Sequence, residues 1–157
     1  MSIRELREIG LEEMADSEIA AFLGSQGVGV LGLPAEGAPY LVPMSFGYDG
    51  GDNLYFTFIL GERSRKEELS EAAESSRFLV YNAKSLFTWQ SVLLSGTVEP
   101  VPEEEWEAVE DTMENAWHPD LLDSADLSRG VRVFRFHIDE RVGIKHTGLP
   151  PGFEEED

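Results

Sequence analysis

Residues 39–60 read PYLVPMSFGYDGGDNLYFTFIL, two apolar runs separated by Asp49-Gly50-Gly51-Asp52. Asp and Gly clustered between β-branched and aromatic runs are a hairpin signal, because glycine supplies the positive φ that a tight reversal needs. Strands are therefore expected over Tyr40 to Tyr48 and Leu54 to Leu60. Upstream, Gly27 to Leu33 reads as a glycine-interrupted strand followed by a turn at Pro34 to Gly37, so these three strands form a meander. Pro43 interrupts the second strand and removes a ladder donor. Either that strand is an edge or a bulge, or something lies across it.

On the N-terminal side, Asp16 reads as an N-cap, Ile19, Phe22 and Leu23 follow at helical spacing, and Gly24 is placed to end a helix over 16–23. Beyond the meander a short helix is expected from Arg65 to about Glu74, then strands Phe78 to Asn82 and Trp89 to Val98. Trp106, Val109, Met113 and Trp117 make one apolar stripe on an acidic helix, Glu103 to Glu114, whose carboxylates form its solvated face. A loop over His118 to Arg129 leads to a strand from Val131 to Ile138 and a last short one from Val142 to His146. Phe134, Phe136 and Ile138 fall on one face of the former, and Val131, Val133, Arg135 and His137 on the other. With six or so antiparallel strands and two or three peripheral helices, a small closed barrel is the expected solution, since closure removes exposed edges. No repeat or linker divides residues 1–157, so one domain is expected.

The 31 acidic and 12 basic residues leave a net charge of -19. Such a field repels phosphate backbones, which disfavours nucleic acid, and destabilises a compact body unless salt screens it. The composition resembles that of proteins from salt-loving organisms, where the Debye length shrinks to about 3 Å at molar ionic strength. There is no cysteine, which excludes disulfides, thiolate metal sites and cysteine nucleophiles. No stretch approaches the ~20 apolar residues of a membrane helix. Met1 to Gly10 lacks an apolar signal core, so a cytoplasmic location is expected.

His118, His137 and His146 are scattered and show no metal-ligand spacing. Gly47, Gly50 and Gly51 lie between two strands rather than opening a helix, so they are read as turn glycines and not as a dinucleotide fingerprint. Ser64 and Glu67 satisfy a capping box at a helix start that also carries Arg63, Arg65 and Lys66. Cations in a first helical turn oppose the macrodipole, and a bound anion would reverse that penalty. Free N–H groups, a hydroxyl and several cations make a phosphate cradle. The alternative is that these bases offset Glu62, Glu67 and Glu68. Trp89-Gln90-Ser91-Val92 opens a strand with a polar pair, which is read either as a capped strand end or as part of a site.

Taken in order, Gly29-Val30-Leu31, the run Pro39 to Gly50, Leu54-Tyr55-Phe56-Thr57, Ser64-Arg65-Lys66 with Leu69, Phe78-Leu79-Val80, Trp89-Gln90-Ser91-Val92 and Gly96 resemble the FMN-binding split-barrel family related to pyridoxamine 5'-phosphate oxidase. The resemblance covers roughly residues 11–100. It implies a mainly β, six-stranded antiparallel split barrel and a homodimer with FMN in each of two clefts between subunits. The strand holding Val42, Pro43, Met44 and Ser45 would run beside the isoalloxazine ring, its backbone meeting the polar edge. Ser64, Arg65 and Lys66 match phosphate-holding positions, and Gln90 and Ser91 match a strand start near the flavin. Thr57 takes a place where many relatives carry His. Arg135-Phe136-His137 is faintly similar to an Arg-any-His substrate motif of the true oxidases, while its surroundings do not match, so a surface or interface role is expected for both side chains. The resemblance implies an FMN-dependent oxidoreductase acting on a small molecule. The alternatives are a flavin-binding module without turnover, or a deazaflavin-dependent reductase or haem-binding protein on the same barrel.

Overall fold

The computed structural model describes residues 2, 5, 8, 10–59, 65–113 and 131–148, with the side chains of 58, 59, 66, 131 and 147 outside that description. Over residues 10–148 of that description, eight strands and three α-helices follow in chain order as β1 (Leu11–Glu13), α1 (Asp16–Ser25), β2 (Val28–Leu33), β3 (Tyr40–Ser45), β4 (Gly47–Tyr48), β5 (Asn53–Ile59), α2 (Arg65–Ala72), β6 (Ser76–Ser85), β7 (Thr88–Pro100), α3 (Trp106–Met113) and β8 (Val131–Thr147). A 3-10 turn, Glu103–Glu105, leads into α3. The sheet is antiparallel and ordered β3-β2-β6-β7-β8-β5-β4, with β1 pairing β8.

The run Tyr40 to Tyr48 supplies both ends of this sheet, which is why the sheet curls. β3 pairs β2 from Leu33↔Tyr40 to Val28↔Ser45, whereas β4 pairs β5 through Gly47↔Tyr55 and Tyr48↔Leu54. At the break, Phe46 buries its ring fully and donates its N–H to the Gly27 carbonyl at 3.0 Å. The expected meander is thus corrected: its middle strand changes partners at Phe46 instead of pairing with both neighbours along its length. The expected six or so strands become eight among the described residues, because that strand is split in two, the short β1 is added and the two C-terminal segments join into one.

Inward-facing Phe46, Phe56, Phe78 and Phe136 form the centre of the core. Phe78 meets Phe46 edge-on at 5.4 Å, stacks on Phe56 at 5.9 Å and tilts against Phe136 at 5.9 Å. Such pairs add about 0.5–1.5 kcal/mol each beyond their area burial. Helix α1 contributes Ile19, Phe22 and Leu23 to the same core, and Leu69 of α2 packs against it. The N-cap of α1 is Ala15 rather than Asp16, and its N–H reaches the Glu18 carboxylate at 3.4 Å. Asp16 instead occupies the first turn, where its charge complements the dipole. Gly24 does not end the helix, which runs on to Ser25, whose hydroxyl donates to the Phe22 carbonyl at 2.7 Å.

A second apolar cluster lies outside the sheet, where Val109 and Met113 of α3 cover Tyr55, Val101 and Val133 beside Trp106. This is the packing expected of the acidic helix, although Trp117 and the expected loop His118 to Arg129 lie outside the described residues. Gly47 belongs to this contact and not to a turn. A Cβ there would overlap the Thr112 carbonyl oxygen, so only glycine lets α3 sit down on β4.

The two expected C-terminal strands are one continuous β8. A register shift against β7, from Ser95↔Glu140 to Gly96↔Ile138, leaves Asp139 as the extra residue of a bulge. Phe134, Phe136 and Ile138 face the core before it, and after it the buried positions change phase to include Gly143. That change of phase reads as a break in the sequence and is only a bulge in the ladder.

Candidate functional site

β3 has one ladder partner, β2, among the described residues, so its other flank presents N–H and C=O groups without a strand neighbour. This accounts for Pro43: on an edge strand its missing N–H costs no ladder bond. Alternation sends Val42 and Met44 inward, Met44 into the main core, and leaves Pro43 exposed and Ser45 half-buried on the outer face. The side chain of Met44 therefore has no access to a ligand, and what β3 can offer there is backbone.

Helix α2 starts at Arg65, whose exposed guanidinium lies 5.9 Å above the ring of Tyr40, the first residue of β3. That contact sets the basic helix start beside the open strand edge. Ser64 lies outside the described residues, as does the side chain of Lys66. Glu67, the other member of the expected capping box, is buried and accepts a hydrogen bond from the Arg132 guanidinium at 2.7 Å. Its charge is thereby balanced across the fold, leaving Arg65 to act outward.

On β7, Gln90 shares the inner face with Val92 and Leu94, and Ser91 points outward. The two are consequently on opposite sides of the sheet. Gln90 lines a cleft of about 410 Å³ with Gln26, Asn82, Lys84, Trp89 and His146 among its walls. Thr57 of β5 is half-buried opposite Val133 on the outer face.

The outer face itself carries a feature that reading segments one at a time misses. Pro43, Val30, Leu79, Leu93 and Val142 are successive cross-strand partners on β3, β2, β6, β7 and β8. Four interstrand steps make an apolar row about 19 Å long. Val28, Leu41 and Tyr81, also on this face, are 52%, 67% and 59% exposed, and Leu93 and Val142 are 42% and 52% exposed. Pro43, Ser45 and Ser91 all lie on this face. The available sequence signal was that β2 and β6, with VGVLGL and FLVY, are apolar on both faces, which asks for cover on both.

Arg135 and His137 also face outward, beside α3. The Arg135 Nε–H donates to the Tyr55 hydroxyl at 3.3 Å, and the guanidinium meets Glu99 at 3.2 Å and Glu105 at 3.7 Å. The hydrogen bond with Tyr55 first, and Glu99 behind it, raise the Arg135 pKa against the opposing effect of burial. His137 Nδ1 lies 3.1 Å from the Asn53 side-chain oxygen. Arg135 is thus engaged by the chain itself. Among the described residues no cluster of His, Asp and Glu is arranged to hold a metal ion, and no helix is long and apolar enough to cross a membrane.

A curled antiparallel half-barrel, open at one strand edge next to a basic helix start, defines a split-barrel protein. The sequence pattern of the family described as Pyridoxamine 5'-phosphate oxidase matches residues 15–145, and the chain belongs to that family. No curated protein matches it. Solved structures similar in fold include an FAD-binding protein from Mesorhizobium loti, at 21% identity over 88% of this chain and 98% of that one, with a TM-score of 0.70. The FAD and haem binding protein from Mycobacterium smegmatis is 17% identical over 90% of this chain and 75% of its own, with a TM-score of 0.67. The flavocytochrome Anf3 from Azotobacter vinelandii is 20% identical over 91% and 72%, with a TM-score of 0.67.

Proposed function

We propose that the protein is a homodimeric flavin-dependent oxidoreductase, with FMN as its flavin and a small molecule as its substrate. The observation that carries this reading is the contact of Arg65 with Tyr40, which sets a basic helix start beside the edge of β3 that has no strand partner among the described residues. A flavin mononucleotide needs both, cations and N–H groups for its phosphate and backbone groups for the polar rim of its ring. The backbone of Val42 to Ser45 would meet the ring, and Arg65, with Ser64 and Lys66, the phosphate. When bound, the flavin supplies hydride or single-electron transfer. The chain's own contribution is to fix the phosphate, orient the ring along β3 and exclude water.

Water exclusion requires a second subunit, because the outer face at Pro43, Ser45 and Ser91 is open. The apolar row from Pro43 to Val142 suits a twin copy laid across it, since contiguous exposed apolar surface marks interaction sites. FMN is preferred to FAD on the grounds that one helix start accommodates one phosphate. Three of the solved relatives are described as FAD-binding, and the mass of the released flavin decides between FAD and FMN. The test is a visible spectrum of the purified protein followed by addition of a reduced nicotinamide. Oxidised flavin gives two bands that bleach on reduction and return with oxygen or an acceptor. A single band would indicate a deazaflavin and a sharp Soret band haem, and a flavin that never bleaches would leave a binding module.

A further inference from the structure

The cleft between the end of α1 and the β6–β7 hairpin has a lining of which the flavin reading uses only Gln90. Asn82 and Gln90 are cross-strand partners on β6 and β7, and both face into the cleft. Neither side-chain amide has a protein partner within hydrogen-bonding distance among the described residues. Lys84 stands at the exposed rim, and no carboxylate comes within 4.0 Å of it among the described residues. Of the seven basic side chains described, Arg132, Arg135, Arg141 and Lys145 each meet a carboxylate, whereas Lys84 shares with Arg65 and Arg77 the lack of one. Lys145, the register partner of Gln90 on β8, shows the contrast: its ammonium is 2.5 Å from Glu18 and 3.8 Å from Glu12.

The remaining wall is aromatic. Trp89 is half-buried, with its ring 6.2 Å from that of His146. His146 is buried, and its Nδ1 lies 2.7 Å from the Phe87 carbonyl. A carbonyl only accepts, so Nδ1 carries the proton and the bond fixes the imidazole as a rigid part of the wall. A volume of about 410 Å³ is that of a small-molecule site.

We propose that this cleft is a subsite for a planar aromatic carboxylate, its ring against Trp89 and His146, its carboxylate on Lys84, and its ring substituents on the amides of Asn82 and Gln90. One unpaired cation matches one negative charge, which favours a carboxylate over a dianionic phosphate. As a subsite for substrate the proposal rests on the flavin reading, because Gln90 is a wall of the cleft and also a residue expected near the flavin.

Benzoate and its uncharged isostere benzamide are the probes, titrated at the lowest KCl concentration that keeps the protein folded. The readout is the indole N–H signal of Trp89 in ¹H–¹⁵N spectra, assigned with Trp89→Phe. Benzoate is expected to shift this signal saturably and to bind more tightly than benzamide. Lys84→Gln, at an exposed position, is expected to weaken benzoate about two- to fivefold and to leave benzamide unchanged. Equal affinities for the two probes, no effect of Lys84→Gln, or no saturable shift at Trp89 would each overturn the proposal. Flavin absorbance on the same samples separates the two readings. Flavin present without benzoate binding overturns the subsite alone, whereas Lys84-dependent benzoate binding in protein that neither carries flavin nor takes up added FMN supports the aromatic-acid site and removes the flavin reading.

Discussion

Replacing Arg65 by Ala removes a guanidinium that the structure places in two relations, above the Tyr40 ring at 5.9 Å and at the start of α2 beside the open edge of β3. The two have different consequences. An exposed cation–π contact contributes about 0.5–1 kcal/mol, which for a domain of this size is a fall in Tm of about 1–4 °C. A hydrogen bond from it to a flavin phosphate would be charge-assisted, in a class worth about 1.5–3 kcal/mol. Because Arg65 is exposed, screening brings it to the low end, and a loss near 1.4 kcal/mol is a tenfold weakening. Titration of FMN and riboflavin, followed by flavin fluorescence in molar KCl, is the assay. FMN should bind Arg65→Ala about ten times more weakly, while riboflavin, which lacks the phosphate, should bind parent and variant alike. Adding Ser64→Ala and Lys66→Ala should deepen the FMN defect by about ten- to a hundredfold per residue. Tyr40→Leu supplies a control, since it removes the ring beneath Arg65 and leaves the cation. If FMN affinity is unchanged in Arg65→Ala, or if riboflavin loses as much as FMN, the helix start only balances nearby carboxylates and the cradle does not exist.

Leu93→Glu places a carboxylate in the middle of the outer apolar row and should convert a dimer to a monomer in light scattering; an unchanged mass, or a parent protein already monomeric with flavin bound, rules out the proposed seam. Gly47→Ala drives a Cβ into the Thr112 carbonyl, so α3 must shift at an overpacking cost of about 1–3 kcal/mol, and differential scanning calorimetry should show Tm lower by about 2–12 °C. A variant as stable as the parent would mean that α3 is not seated on β4. With a net charge of -19, Tm should climb steeply from dilute buffer to molar KCl as screening removes self-repulsion, and a flat profile would count against dependence on salt.

The parts of the fold legible in the sequence were those set by local periodicity. The inward face of Phe134, Phe136 and Ile138 and the stripe of Val109 and Met113 came through because each is written in one continuous segment. Two features were misread because they depend on pairing partners. At Phe46 a single extended run passes from β2 to β5, and nothing in its own alternation says that the partner changes. At Asp139 a bulge shifts the phase of β8, and a phase shift in one strand looks like the end of that strand. For the site, Pro43 and the basic helix start were visible as departures from local preference, a proline in a strand and cations at the wrong end of a dipole. The apolar row leaves only a partial local trace, the two-sided apolar pattern of β2 and β6, since Pro43, Val30, Leu79, Leu93 and Val142 come from five strands and meet only through register. Gln90 and Ser91, adjacent in sequence and expected to act together, lie on opposite faces because strands alternate.

The central claim is that a mononucleotide flavin occupies the edge of β3 with its phosphate at the start of α2. The most direct measurement is the mass of whatever small molecule is released on denaturing protein purified throughout in molar KCl, with the amount set against protein concentration. The expected result is FMN at close to one per chain. Recovery of FAD would contradict the assignment of a single phosphate to Ser64, Arg65 and Lys66, and recovery of no flavin from folded protein that also fails to bind added FMN would contradict the claim itself.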